Sequence, residues 1–277
     1  MPVSIQQEQV GVMADGQPLT AFTMHREGGI RARILSHGGI LASLWVPDRE
    51  GRVQDVILGL SAQGYVYGNP ACFGAIVGRF ANRIAHGRFT LDGKRHQLPC
   101  NEPHAHLHGG EKGFSTKTFT ATAQDGRLVL SCVSPHGEMG YPGTLSLTVQ
   151  ISLTPEGGIR YDYAATTDRP TIVNLTAHPY VNLAGHDNGA IAGHILQLQA
   201  DAFLPTHPLT ATPTGQLAPV TMTPFDFRQP QRLGPGLDAA HPQIRRCRGF
   251  DHTFALRTGR DLTKPAATLL EPPPKSG

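Results

Sequence analysis

The 277-residue sequence contains no run of about 18 apolar residues, so no stretch reads as a membrane-spanning helix. It also lacks a charge field of one sign. Its 24 basic and 21 acidic residues leave a net charge of +3, which gives no support to nucleic acid or a membrane surface as partner. There is no C-x-x-C pair. Cys72, Cys100, Cys132 and Cys247 lie far apart, which favours free thiols in a reducing compartment over disulfides or a cysteine-based metal site. The opening residues Met1 to Glu8 carry neither a basic segment nor an apolar one, so the expected location is cytoplasmic. Helical periodicity over windows of about 11 residues is missing.

What is present is loop-forming and strand-forming. The chain holds 32 Gly and 23 Pro, and 14 His are its one compositional hint of acid–base or metal chemistry. Residues alternate in 30–34, 128–133 and 144–153; 40–47 reads as a strand ended by a turn, and Gly157-Gly158 links 144–153 to a further segment, 159–165. Asp92-Gly93 marks a hairpin inside 89–98. Residues 61–72 and 204–247 read as loops, 196–203 as a strand, and 251–256 as the last clear strand. Short strands spaced by turns predict an all-β fold, a large antiparallel β-sandwich, and no linker divides residues 1–277 into more than one domain.

The most informative stretch is 173–183. Val173, Leu175, Ala177, Val181 and Leu183 fall on one side of a two-residue repeat; Asn174, Thr176, His178, Tyr180 and Asn182 fall on the other. Pro179 removes a ladder donor, which predicts an irregular or edge strand where the His178 imidazole emerges. Three further segments concentrate polar chemistry. In Gly78 to Ile84, Arg79 and Arg83 share a strand face, as a surface pair bound to carboxylates or as donors to an oxygen-rich ligand. His104, His106 and His108 stand at i, i+2 and i+4. They are a potential zinc triad, a donor row for hydroxyl groups, or a polar loop; no further ligand is evident. In Gly249 to Leu256, Asp251 is a turn cap or a site carboxylate.

Together these segments resemble the aldose 1-epimerase (galactose mutarotase) family. The matching pieces are GRFANRIAHGRFTLDGK (78–94), LHGG (107–110), VNLTAHPYVNLAG (173–185) and GFDHTFAL (249–256), with the family's first hairpins in 21–51. The resemblance implies a sugar cleft on one sheet of a β-sandwich and acid–base interconversion of the anomers of free hexoses. It makes His178 the general acid. It makes Asn82, Arg83, His108 and Asp251 contacts of sugar hydroxyls, with Tyr180 beside the acid. No cofactor and no metal is implied; the partner is a small aldose, and the protein is a monomer or homodimer. The family also takes a Glu general base from a strand near its C-terminus. None of Glu8, Glu27, Glu50, Glu102, Glu111, Glu138, Glu156 or Glu271 has that context, and Lys275-Ser276-Gly277 resembles the turn before the closing strands. The expectation is therefore a C-terminally incomplete domain with little activity as the 277-residue chain. A base-less sugar-binding protein and a hexose-6-phosphate epimerase, with Arg79 as the spare cation for phosphate, are the rival readings.

Overall fold

The computed structural model describes residues 2–272, so the Lys275–Gly277 turn lies outside the described residues. The chain divides into two compact units, Met1–Asp187 and Asn188–Gly277. In the first unit, β1 (Val3–Val12), β2 (Pro18–Arg26), β3 (Arg31–Leu35), β4 (Leu41–Pro47) and β5 (Val53–Asp55) form an antiparallel sheet in sequence order. Short elements follow: β6 (Ile57–Leu58), α1 (Ala62–Tyr67), β7 (Ile76–Val77), β8 (Arg83–Ala85), β9 (Arg88–Leu91), β10 (Lys94–Gln97) and β11 (Ala105–Leu107). A second antiparallel sheet, again in sequence order, is built from β12 (Thr120–Gln124), β13 (Arg127–Ser134), β14 (Leu145–Leu153) and β15 (Ile159–Thr167).

The inward residues of the two sheets meet in one apolar cluster. Phe22, Met24, Ala32, Ile34 and Leu41 come from the first sheet; Leu128, Leu130, Leu145, Leu147, Val149 and Ile151 come from the second. That is the sandwich core which the alternation predicts. Burying each Leu, Ile, Val or Phe stabilises it by roughly 1.5–3 kcal/mol relative to exposure. The β9–β10 hairpin turns on Asp92 (φ 49°) and Gly93 (φ 75°), both left-handed as a two-residue hairpin of this kind requires.

The 173–183 stretch is interrupted at His178-Pro179, the irregularity which Pro179 predicts. It forms two separate ladders: β16 (Thr176–Ala177) on β7, and β17 (Tyr180–Val181) on β6. His178 and Pro179 lie between them, where the proline cannot donate. Inward and outward faces are therefore not continuous across the break. Val173 and Val181 are exposed, while Asn182, assigned to the wet side by alternation, is 1% exposed.

The second unit contains β18 (Ile195–Leu198), β19 (Ala200–Leu204), β20 (Ala218–Pro219), β21 (Gln231–Arg232), α2 (Leu233–Leu237), α3 (Pro242–Cys247), β22 (Thr253–Leu256) and β23 (Ala267–Leu270). β18 lies between β21 and β23, and β19 between β20 and β22, all antiparallel. Four sequence expectations are corrected. The 61–72 loop contains α1, whose first turn is capped by Ser61 Oγ accepting from Gly64 N–H. The 204–247 loop contains β20, β21, α2 and α3. The strand beginning at 251 begins at Thr253, and β23 follows it. These pieces are too short for a periodic signal. No helix among the described residues is long and apolar enough to cross a membrane.

Candidate active site

His178 is fixed by its backbone. Its N–H donates to Ala75 O and its carbonyl accepts from Gly74 N–H, each at 2.9 Å. The imidazole stands edge-on to His108, with ring centroids 5.2 Å apart and planes at 84°. On another side it meets Tyr180 at 5.1 Å. Tyr180 is held in turn by the Phe73 ring at 4.8 Å and by donating its hydroxyl to Ala71 O. His178 Nδ1 is buried, with no hydrogen-bond partner among the described residues. The ring is thus placed by its backbone hydrogen bonds and by packing against His108 and Tyr180.

Asn82 and His108 clamp one another. Asn82 N–H donates to His108 Nδ1 at 3.0 Å, and His108 N–H donates to Asn82 O at 3.1 Å. A backbone N–H only donates, so Nδ1 is the acceptor and the neutral His108 ring carries its proton on Nε2. Both residues are left-handed (φ 67° and 54°), which turns their side chains out of the short β8–β11 ladder. Next to His108, Gly109 runs close against the Gly78 backbone: a Cβ there would stand 1.8 Å from Gly78 O. Arg83 presents its fork to Glu102, through Nε at 2.7 Å and a terminal nitrogen at 3.0 Å. Sequence reasoning missed Glu102 and Phe73 as neighbours of the site, since neither has a local pattern that marks it.

The histidine row is taken apart. His104 is exposed and meets the His86 ring, His108 faces His178, and His106 is 0% exposed. His106 Nδ1–H donates to Pro99 O, and Nε2 accepts from Tyr141 O–H, both at 2.7 Å. Among the described residues, no group of three His, Cys, Asp or Glu is placed to hold a metal ion. Burial holds the His106 pKa below its usual 6.5, against the opposing pull of the Pro99 carbonyl. It pushes the Tyr141 phenol up, so that it stays a donor.

A pH dependence of stability follows. The unfolded chain takes up a proton at His106 before the folded one does, so this contribution is present above pH 6.5 and is lost as pH falls toward the folded value. One such group gives a slope of at most about 1.4 kcal/mol per pH unit. His37 and His252, also lowered by burial, act in the same direction. Urea midpoints are expected to be lower at pH 5.5 than at pH 7.5, with a shallower difference in His106→Gln. A midpoint that rises on acidification would refute the assignment.

Arg79 is not the surface cation that its spacing from Arg83 suggests. It is 2% exposed. Its guanidinium donates to Ser134 Oγ and to the carbonyls of Ser134, Pro135, Pro142 and Gly143. Ser134 Oγ in turn bonds the Glu138 carboxylate, which pairs with Lys117 at 2.6 Å. Every donor position is taken, so Arg79 is no candidate for a substrate phosphate. Its backbone is also tied to the site strand: Asn174 N–H donates to Arg79 O, and Ala81 N–H to Asn174 O.

Asp251 lies in the second unit, just before β22, and its N–H donates to His252 Nδ1 at 3.2 Å. Residues 20–276 match the family model described as aldose 1-epimerase. The chain belongs to the aldose 1-epimerase family. Among curated members, a galactose mutarotase of Rattus norvegicus is 40% identical over 261 residues, 94% of this chain and 74% of that protein. An aldose 1-epimerase of Escherichia coli (strain K12) is 35% identical over 261 residues, again 94% of this chain and 75% of that protein. The crystal structure of galactose 1-epimerase from Lactobacillus acidophilus NCFM superposes with a TM-score of 0.85 at 28% identity, covering 97% of this chain and 77% of that one.

Proposed function

We propose that this aldose 1-epimerase family member is an isomerase that interconverts the α and β anomers of free aldoses such as galactose and glucose. Ring opening needs a proton delivered to the ring oxygen and another passed from the anomeric hydroxyl to a base, here solvent water, since none of the eight Glu has the context of the family's base; rotation about C1–C2 and reclosure give the other anomer. His178 is the general acid in this reading, since an imidazole exchanges protons near neutral pH without a cofactor or metal. The single observation that carries the role is its setting: a backbone-fixed ring packed between His108 and Tyr180, with no carboxylate committed to it in the described contacts. His108, with its proton on Nε2, donates to a sugar oxygen. Asn82, Arg83 and Tyr180 add further contacts to the same polyol. Asp251, in the second unit, takes a hydroxyl by the family resemblance.

The four free cysteines support a reducing, cytoplasmic setting; the family resemblance supports a small sugar as the partner of a monomer or homodimer. The test is polarimetry on freshly dissolved α-galactose. Relaxation faster than the buffer blank, in proportion to protein, supports the reading; a rate equal to the blank with measurable galactose binding turns it into a sugar-binding protein.

A further inference from the structure

Within the second unit, the hydrogen bonds around His252 fix its tautomer. Thr206 N–H donates to Gln243 Oε1 at 2.9 Å, and a backbone N–H only donates, so that atom is the amide oxygen. Gln243 Nε2 points the other way, to Thr206 O. His252 Nε2 lies 3.0 Å from the same Oε1 and must therefore carry the proton. Its Nδ1 is the lone-pair nitrogen, and it accepts Asp251 N–H. The ring stands edge-on against the stacked pair of Phe225, at 4.6 Å, and Phe203, at 5.7 Å. Facing it are Asp251, which favours its protonation, His241 and Arg246, which oppose it, and the Cys247 thiol, 3.6 Å from Nε2. Burial is the largest influence, and it holds the ring neutral.

We infer that His252 is a positioning residue for sugar binding: relayed from Thr206 through Gln243, its single tautomer fixes the main chain at Asp251 and so aims that carboxylate. The inference rests on the sugar contact proposed for Asp251. Protonating His252 would set an Nδ1–H against the Asp251 N–H, two donors facing each other, and the loop would have to turn.

Gln243→Glu keeps the acceptor oxygen and the side-chain shape but places a carboxylate on Nε2–H, which raises the His252 pKa toward neutrality. D-galactose affinity of the full chain, by calorimetry, is expected to stay within about twofold of wild type at pH 8. At pH 6 it is expected to fall roughly five- to tenfold beyond the change in wild type, the worth of one lost hydrogen bond. Adding His252→Asn, which keeps an acceptor near Asp251 but does not titrate, is expected to abolish that extra drop.

A Gln243→Glu profile parallel to wild type, or a drop that survives in the double variant, overturns the inference. Asp251→Asn separates it from its foundation. If Asp251→Asn loses affinity while Gln243→Glu stays flat, His252 alone is wrong; if Asp251→Asn binds galactose as wild type does, the sugar contact and the inference fall together. Ring ¹⁵N shifts at pH 7 give a check that needs no variant: a proton on His252 Nδ1 also overturns it.

Discussion

His178→Asn is expected to lower the turnover number for galactose anomer exchange by about 10²–10⁴-fold, with much less effect on galactose affinity. Asparagine retains a short polar side chain, and the hydrogen bonds to Gly74 and Ala75 are made by the backbone, so the strand keeps its place. What disappears is a group able to hand over a proton. That transfer occurs only on the way to the open-chain sugar, so its loss appears in kcat and kcat/KM together, whereas a lost ground-state contact would appear in KM. Exchange measured by saturation transfer between the two anomeric proton resonances, corrected for the uncatalysed rate, gives the comparison. An unchanged kcat would make His178 a packed surface histidine and move the acid elsewhere.

Arg79→Met is expected to cost roughly 3–5 kcal/mol of folding stability, a large share of the 5–15 kcal/mol typical of a whole domain. Methionine fills much of the space but leaves the carbonyls of Ser134, Pro135, Pro142 and Gly143 without their donor. It also leaves the Ser134–Glu138–Lys117 network without its second cation. Unmade hydrogen bonds at buried acceptors are the expensive kind. Arg79→Lys is expected to recover only a small part, because a point charge with three donors cannot span acceptors arranged for a planar fork. Urea denaturation of the three proteins decides it. A loss below about 1 kcal/mol for Arg79→Met would mean that the loops close equally well around an apolar side chain.

Alternation in β3, β13 and β14, together with turn residues such as Asp92-Gly93, was enough to identify an antiparallel sandwich, because a strand with one buried face writes a two-residue repeat into the chain. The family motifs are what nominate His178, Asn82, Arg83, His108, Tyr180 and Asp251 for the proposed sugar site. The 173–183 stretch shows the limit. Pro179 marks where the ladder breaks, but the repeat does not say which strands take up its two halves, since pairing depends on what β6 and β7 offer from about a hundred residues away or more.

By itself, the sequence determined the fold class and the family, which rest on local periodicity and contiguous motifs, and it singled out His178 as the residue to propose as the acid. Tertiary structure alone decided what like residues do. His104, His106 and His108 share one spacing, yet one is exposed, one is sealed between Pro99 and Tyr141, and one is turned by a left-handed backbone to face His178. Arg79 and Arg83 are four residues apart, yet one is sealed against four carbonyls of the 134–143 segment and the other is paired with Glu102. The physical reason is the same in each case. A side chain's charge, tautomer and availability are set by burial and by partners that are distant in sequence, and no local pattern encodes those.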